Sequence, residues 1–128
     1  MKYYISKKIK SDFEQAVQLV TEALKKEGFG VLSEIDIQQK LNEKLDIDFR
    51  KYKILGACNP PNAYKALQQE DKIGTLLPCN VILQEVDDNM IEVAAVDPVA
   101  SMMAVENRKL TGIATEIKVK LERVIASL

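Results

Sequence analysis

The sequence predicts an α+β domain, a mainly antiparallel five-stranded sheet covered on one face by the first and last helices. Three observations carry that prediction. Five short stretches, "YYISKKI", "FGVLSEIDI", "YKILGACN", "CNVILQEV" and "MIEVAAV", show the alternation or compact apolar runs of strands. Two longer segments, one after the first strand and one at the end of the chain, each carry a single apolar stripe at helical spacing. The last two strands are separated only by Asp87-Asp88-Asn89, a tight hairpin connection.

In the first strand, Tyr3, Ile5 and Ile9 share a face, and the intervening "KKIK" lysines mark a solvated edge that discourages strand addition. Ser11 and Glu14 have the spacing of a capping box, in which each side chain satisfies a free backbone N–H near the other. The helix they open buries Phe13, Val17, Val20 and Leu24; Lys25 and Lys26 suit its C-terminal dipole, and Gly28 stops it. In the second strand Phe29, Val31, Ile35 and Ile37 fall on one face by alternation. Asp36 and Gln39 then cap a short amphipathic helix through Ile37, Leu41 and Leu45, ending near Asp46. After the third strand, Pro60 and Pro61 fit the first turn of a helix, where no intrahelical N–H bond is lost. Ala63, Tyr64 and Leu67 are its expected buried side. Asp97-Pro98 ends the hairpin, and "VASMMAVEN" fits either a helix or a compact loop. From Leu110 onward, Ile113, Ile117, Leu121, Val124 and Leu128 complete the final stripe. The pattern leaves open whether the first two strands pair in parallel or stay apart.

A chain of 128 residues is one domain, 1–128. Its net charge of −1 comes from interspersed charges, which argues against nucleic acid, whose phosphates call for a concentrated basic face. No apolar run approaches the ~20 residues of a membrane span, and the first ten residues lack the apolar core of a signal peptide. The expected location is therefore cytoplasmic, where thiols stay reduced. Histidine is absent, so Ser-His-Asp and Cys-His catalysis and histidine metal ligation are excluded.

Little else looks like chemistry except the two cysteines. Cys58 ends a strand just before Asn59-Pro60-Pro61, and Cys79 begins the next strand after Leu77-Pro78. If those strands are antiparallel neighbours, both sulfurs fall at one edge of the sheet. A thiol beside a helix N-terminus is acidified, so Cys58 is a candidate nucleophile with Cys79 as its resolving partner or as a second soft ligand. Free cysteines also simply pack, and no C-x-x-C spacing is present. Zinc or another soft metal would find two sulfurs with only carboxylates to complete four ligands, unless a two-fold dimer pooled four sulfurs. Glu34 and Asp36 share a strand face and form a possible acid–base pair, although solvated strand carboxylates, Glu92 among them, look the same. Met102 and Met103 suit either a pliable pocket or core filling.

At "ILGACNP", "TLLPCNV" and "VLSEIDI" the chain resembles the bacterial and archaeal family catalogued as domain of unknown function 302. The resemblance extends to the hairpin ending "VAAVDP" and the last helix. It implies a single α+β domain of strand–helix–four strands–helix order, similar to the TATA-binding-protein-like class, and often a homodimer. The motif positions matched are Glu34, Cys58, Asn59, Pro60, Pro78, Cys79, Asn80, Asp97 and Pro98; the resemblance attaches no reaction to them.

The leading functional expectation is a binding domain for a small ligand or soft metal. Its site would lie between the sheet and the last helix, bordered by Cys58, Asn59, Cys79 and Asn80, with Glu34 as a further candidate. The asparagine amides and the N–H groups of the Pro61 helix would recognise a polar or anionic group. The alternatives are an enzyme or redox protein using the Cys58 thiol, and a homodimerising interaction module.

Overall fold

The computed structural model describes residues 2–128. Strand β1 (Tyr4–Lys10) leads to helix α1 (Phe13–Lys26), β2 (Gly30–Asp36) to the short α2 (Ile37–Leu45), and β3 (Tyr52–Cys58) to α3 (Pro60–Gln69). A 3-10 turn (Asp71–Leu76) precedes the hairpin of β4 (Cys79–Asp87) and β5 (Met90–Val96), and the one-turn α4 (Pro98–Ser101) precedes α5 (Lys109–Ala126). The sheet order is β1-β5-β4-β3-β2, with every pairing antiparallel. The first two strands therefore lie at opposite edges. Helix α1 has the reach for that connection: its 14 residues extend about 21 Å, and four strand spacings are about 19 Å.

One face of the sheet is covered and the other is open. Ile5, Ile91, Val93, Ala95, Val81, Leu83, Leu55 and Ala57 pack against Ala16, Val20 and Leu24 of α1 and Ile117, Leu121 and Val124 of α5. A smaller cluster of Ala66, Ile73, Met102, Leu110 and Ala114 joins α3, the 3-10 turn and α5. Met102 is thus a core residue, whereas Met103 is exposed. The segment after β5 combines both expected forms, one helical turn and then loop.

Helix α1 ends as its glycine suggested. Gly28 adopts φ +85°, its N–H bonds Lys25 O at 3.0 Å, and the Phe29 N–H reaches back to Leu24 O at 2.9 Å. Those two bonds form a Schellman motif, with the buried pair Phe29 and Leu24 as its hydrophobic contact. The start of α1 differs from the expected Ser11–Glu14 box. Asp12 is the N-cap, its carboxylate accepting from the Gln15 N–H at 2.8 Å, while the Ser11 hydroxyl donates to Asp12 O. The helix simply begins one residue later, and a carboxylate is an equally good cap.

Three other expectations are corrected. Tyr3 precedes β1 and is largely exposed rather than on the covered face with Ile5. In β2 the register shifts between Val31 and Ser33, so Leu32 is an extra, bulged residue. A bulge inverts the alternation that follows it: Val31 pairs with buried Ala57, but Ile35 pairs with Ile54 on the open face. In α3 the buried residues are Asn62 and Ala66, while Tyr64 and Leu67 are exposed. Helix α2 forms where expected, with Asp36 accepting from the Gln39 N–H, yet it buries no residue fully.

A groove on the open sheet face and a sealed cysteine edge

The strand pairing expected for the cysteines is present: β3 and β4 are antiparallel neighbours, and Ala57 sits opposite Cys79. Cys79 consequently faces the covered core and is 5% exposed. Cys58, one residue beyond Ala57 at the end of β3, is partly exposed. Both are free thiols. They border a cavity of about 20 Å³, together with Phe29, Ala63, Leu77 and Ile117. That space suits a single water and is far below the ~300 Å³ at which ligand pockets begin. Burial, with the neighbouring Cys58 adding to it, pushes the Cys79 thiol up from 9.0 to about 11. At neutral pH Cys79 stays protonated, a poor state for a nucleophile. Among the described residues no three Cys, Asp or Glu side chains gather as a metal-binding group.

The asparagines part company as well. Asn59 is a structural cap: its Oδ1 accepts from the Asn62 backbone N–H at 3.3 Å and side-chain N–H at 3.1 Å. Its own amide donates to Glu27 O at 3.3 Å, which ties the start of α3 to the end of α1. Pro60 and Pro61 have no N–H, and the Ala63 N–H bonds Asn59 O. The first turn of α3 therefore keeps no free N–H to acidify Cys58 or to hold an anion, contrary to the expectation from sequence. Asn62 Oδ1 is buried with no hydrogen-bond partner. Glu34 stands on the β2 edge, half-exposed, with Lys53 Nζ 3.7 Å away; a pair so exposed contributes little. Asp97 caps α4 through the Val99 and Ala100 N–H groups and pairs with Lys118 at 3.0 Å.

Two of the expected site residues border sizeable concavities: Asn59 one of about 430 Å³ lined by the charged Lys26, Glu27, Lys65, Glu116 and Lys120, and Asn80 one on the opposite face from Cys79. The open face carries two parallel rows. One runs Ser6, Ala94, Ile82, Ile54 and Ile35, and the other Lys8, Glu92, Gln84 and Tyr52. Around Ala94 and Ile82 opens a groove of about 430 Å³, bordered by Tyr3, Tyr4, Tyr52, Asn80, Gln84, Glu92 and Val96. Small Ala94 leaves the space, and the tyrosines and the polar row frame it. Arg50 Nε donates to Gln84 Oε1 at 2.8 Å, and Gln84 Nε2 donates to Glu92 Oε1 at 2.8 Å. The Arg50 guanidinium also lies 4.3 Å from the centre of the Phe49 ring.

Sequence reasoning passed over Tyr4, Tyr52, Gln84 and Ala94 and read Glu92 as a solvated strand carboxylate. The signal was there in part. Alternation sets Asn80, Ile82 and Gln84 on one face of "CNVILQEV", and Glu92, Ala94 and Val96 on one face of "MIEVAAV". Apolar residues on both alternate faces of an antiparallel hairpin mean that its second face is not purely for water.

No helix among the described residues is long and apolar enough to cross a membrane. Comparison with curated proteins finds no match. The chain is similar in structure to an uncharacterised conserved DUF302 protein from Bacillus stearothermophilus, with a TM-score of 0.90 and 25% identity over 98% of both chains. The family model described as domain of unknown function DUF302 matches residues 5–128. With the sheet, the two covering helices and both cysteine motifs inside that span, the chain belongs to the DUF302 family.

Proposed function

We propose that the protein is a small-molecule-binding domain whose site is the groove over Ala94 and Ile82 on the open sheet face. The observation that carries this reading is the groove itself. Its volume of about 430 Å³ falls in the range of ligand pockets, and its apolar floor and tyrosines converge with Asn80, Gln84 and Glu92. The reading keeps Asn80 from the expected site and assigns Cys79 and Asn59 to packing and capping. Zinc is supported less, since a single chain brings two sulfurs and no third Cys, Asp or Glu gathers with them among the described residues. Benzyl alcohol, benzamidine and benzoate, titrated into 15N-labelled protein, should give saturable shifts at Ala94, Ile82 and Gln84. Those shifts should vanish in Ala94→Trp, which fills the groove. An open face that none of the three probes perturbs would refute the reading.

A homodimer through the same face is a second reading, favoured by one feature. The apolar row continues past the groove through Ile54 to Ile35, which is 43% exposed. A second sheet laid across it would bury that row. Sedimentation should then show a dimer that Ile35→Glu dissociates, and a wild-type monomer at every concentration would end the idea.

A further inference from the structure

We infer that the groove selects a flat ring bearing an N–H donor edge, an aromatic amine or amidine, with the Glu92 carboxylate as the selecting acceptor. This rests on the groove being a ligand site and adds the class of ligand. The floor is Ala94 beside Ile82, neighbours across the β4–β5 ladder. On one side stand Tyr4 and Val96, which are cross-strand partners, and on the other Glu92 and Gln84. Residues four apart along a strand are separated by about 14 Å, so the slot between Val96 and Glu92 admits one ring lying flat on alanine.

The polar wall is held in place before any ligand arrives. Arg50 occupies the Gln84 oxygen, and the Gln84 amide is committed to Glu92 Oε1, both at 2.8 Å. Hydrogen bonds in such a chain polarise and strengthen one another. The chain uses one of the two Glu92 oxygens and leaves acceptor capacity for a ligand N–H. Among the described residues Glu92 is the one charged residue that borders the groove. Lys8 stands across the ladder from Glu92 and forms no ion pair with it among the described residues, and Arg50 is engaged with Gln84 and with the Phe49 and Tyr52 rings. Lys2 lies over the Tyr4 ring, 5.7 Å from its centre, so that ring already has a cation beside it and the selection falls to Glu92. A carboxylate at the rim with no ion-pair partner among the described residues favours a cationic or N–H-donating ring and disfavours a carboxylate-bearing one.

The same three probes separate this inference from the reading beneath it. Benzamidine should bind at Ala94, Ile82 and Glu92 at least tenfold more tightly than benzyl alcohol or benzoate. Glu92→Gln, which keeps an acceptor for Gln84, should remove most of the preference for benzamidine over benzyl alcohol; its 1H–15N spectrum reports that the fold is retained. Equal affinities for the three probes, or a preference that survives Glu92→Gln, would overturn the selectivity while the groove stands as a site. Absence of binding by all three would overturn both.

Discussion

Replacing Gly28 with alanine tests how the ends of α1 and α3 are joined. At φ +85° an L side chain costs roughly 1–2 kcal/mol. The added Cβ would also stand 3.0 Å from Asn59 Nδ2, tighter than nine in ten real Cβ contacts, so Asn59 must give by a few tenths of an ångström. That amide donates to Glu27 O, and the same side chain caps α3; weakening one such bond costs about 0.5–1.5 kcal/mol. Gly28→Ala should therefore destabilise the protein by about 2–3 kcal/mol, read as a lower urea midpoint at unchanged slope. The two contributions separate in a double-mutant cycle. In an Asn59→Ala background the steric part disappears and only the backbone part, about 1–2 kcal/mol, should remain. A loss below about 0.5 kcal/mol, or strict additivity of the two substitutions, would refute the reasoning.

Asp12→Ala should cost about 1 kcal/mol by removing the cap of α1, and Ser11→Ala well under half of that; a reversed order in urea melts would restore the Ser11 cap. Cys79 gives a pH dependence of known sign. Its folded pKa is about 11 against an ordinary 9.0, so the folded state holds the proton longer than the unfolded one. The contribution is fully present below pH 9 and is lost as pH rises toward 11, on the order of 2–3 kcal/mol in all. Stability of wild type minus that of Cys79→Ala should fall across that window, and a flat difference would contradict it. Under native conditions at pH 7 a thiol reagent should label Cys58 well before Cys79. Asp97→Ala should cost about 2 kcal/mol, since it frees two N–H groups and leaves Lys118 without its partner; Asp97→Asn, which still caps, should cost less.

Features whose cause is local were legible in the sequence. The two apolar stripes, the Gly28 stop, the Asp36 cap and the paired prolines of α3 depend on residues within one or two turns of one another, and each forms where its pattern stands. That β3 and β4 are neighbours, with Cys79 opposite Ala57, stood in the sequence only as a condition, since α3 and the 3-10 turn lie between the two strands. Tertiary structure decided what depends on distant partners. The bulge at Leu32 turned Ile35 to the open face, because register is set by the opposing strand and a single extra residue reverses every later side chain. The order β1-β5-β4-β3-β2 placed both helices on one side and left Ile82, Ala94 and Gln84 uncovered on the other. Alternation within a strand says which residues share a face, but only the packing of distant helices says which face meets the core. For that reason the candidate site moved from the cysteine edge to a sheet face whose members come from four strands, β1, β3, β4 and β5.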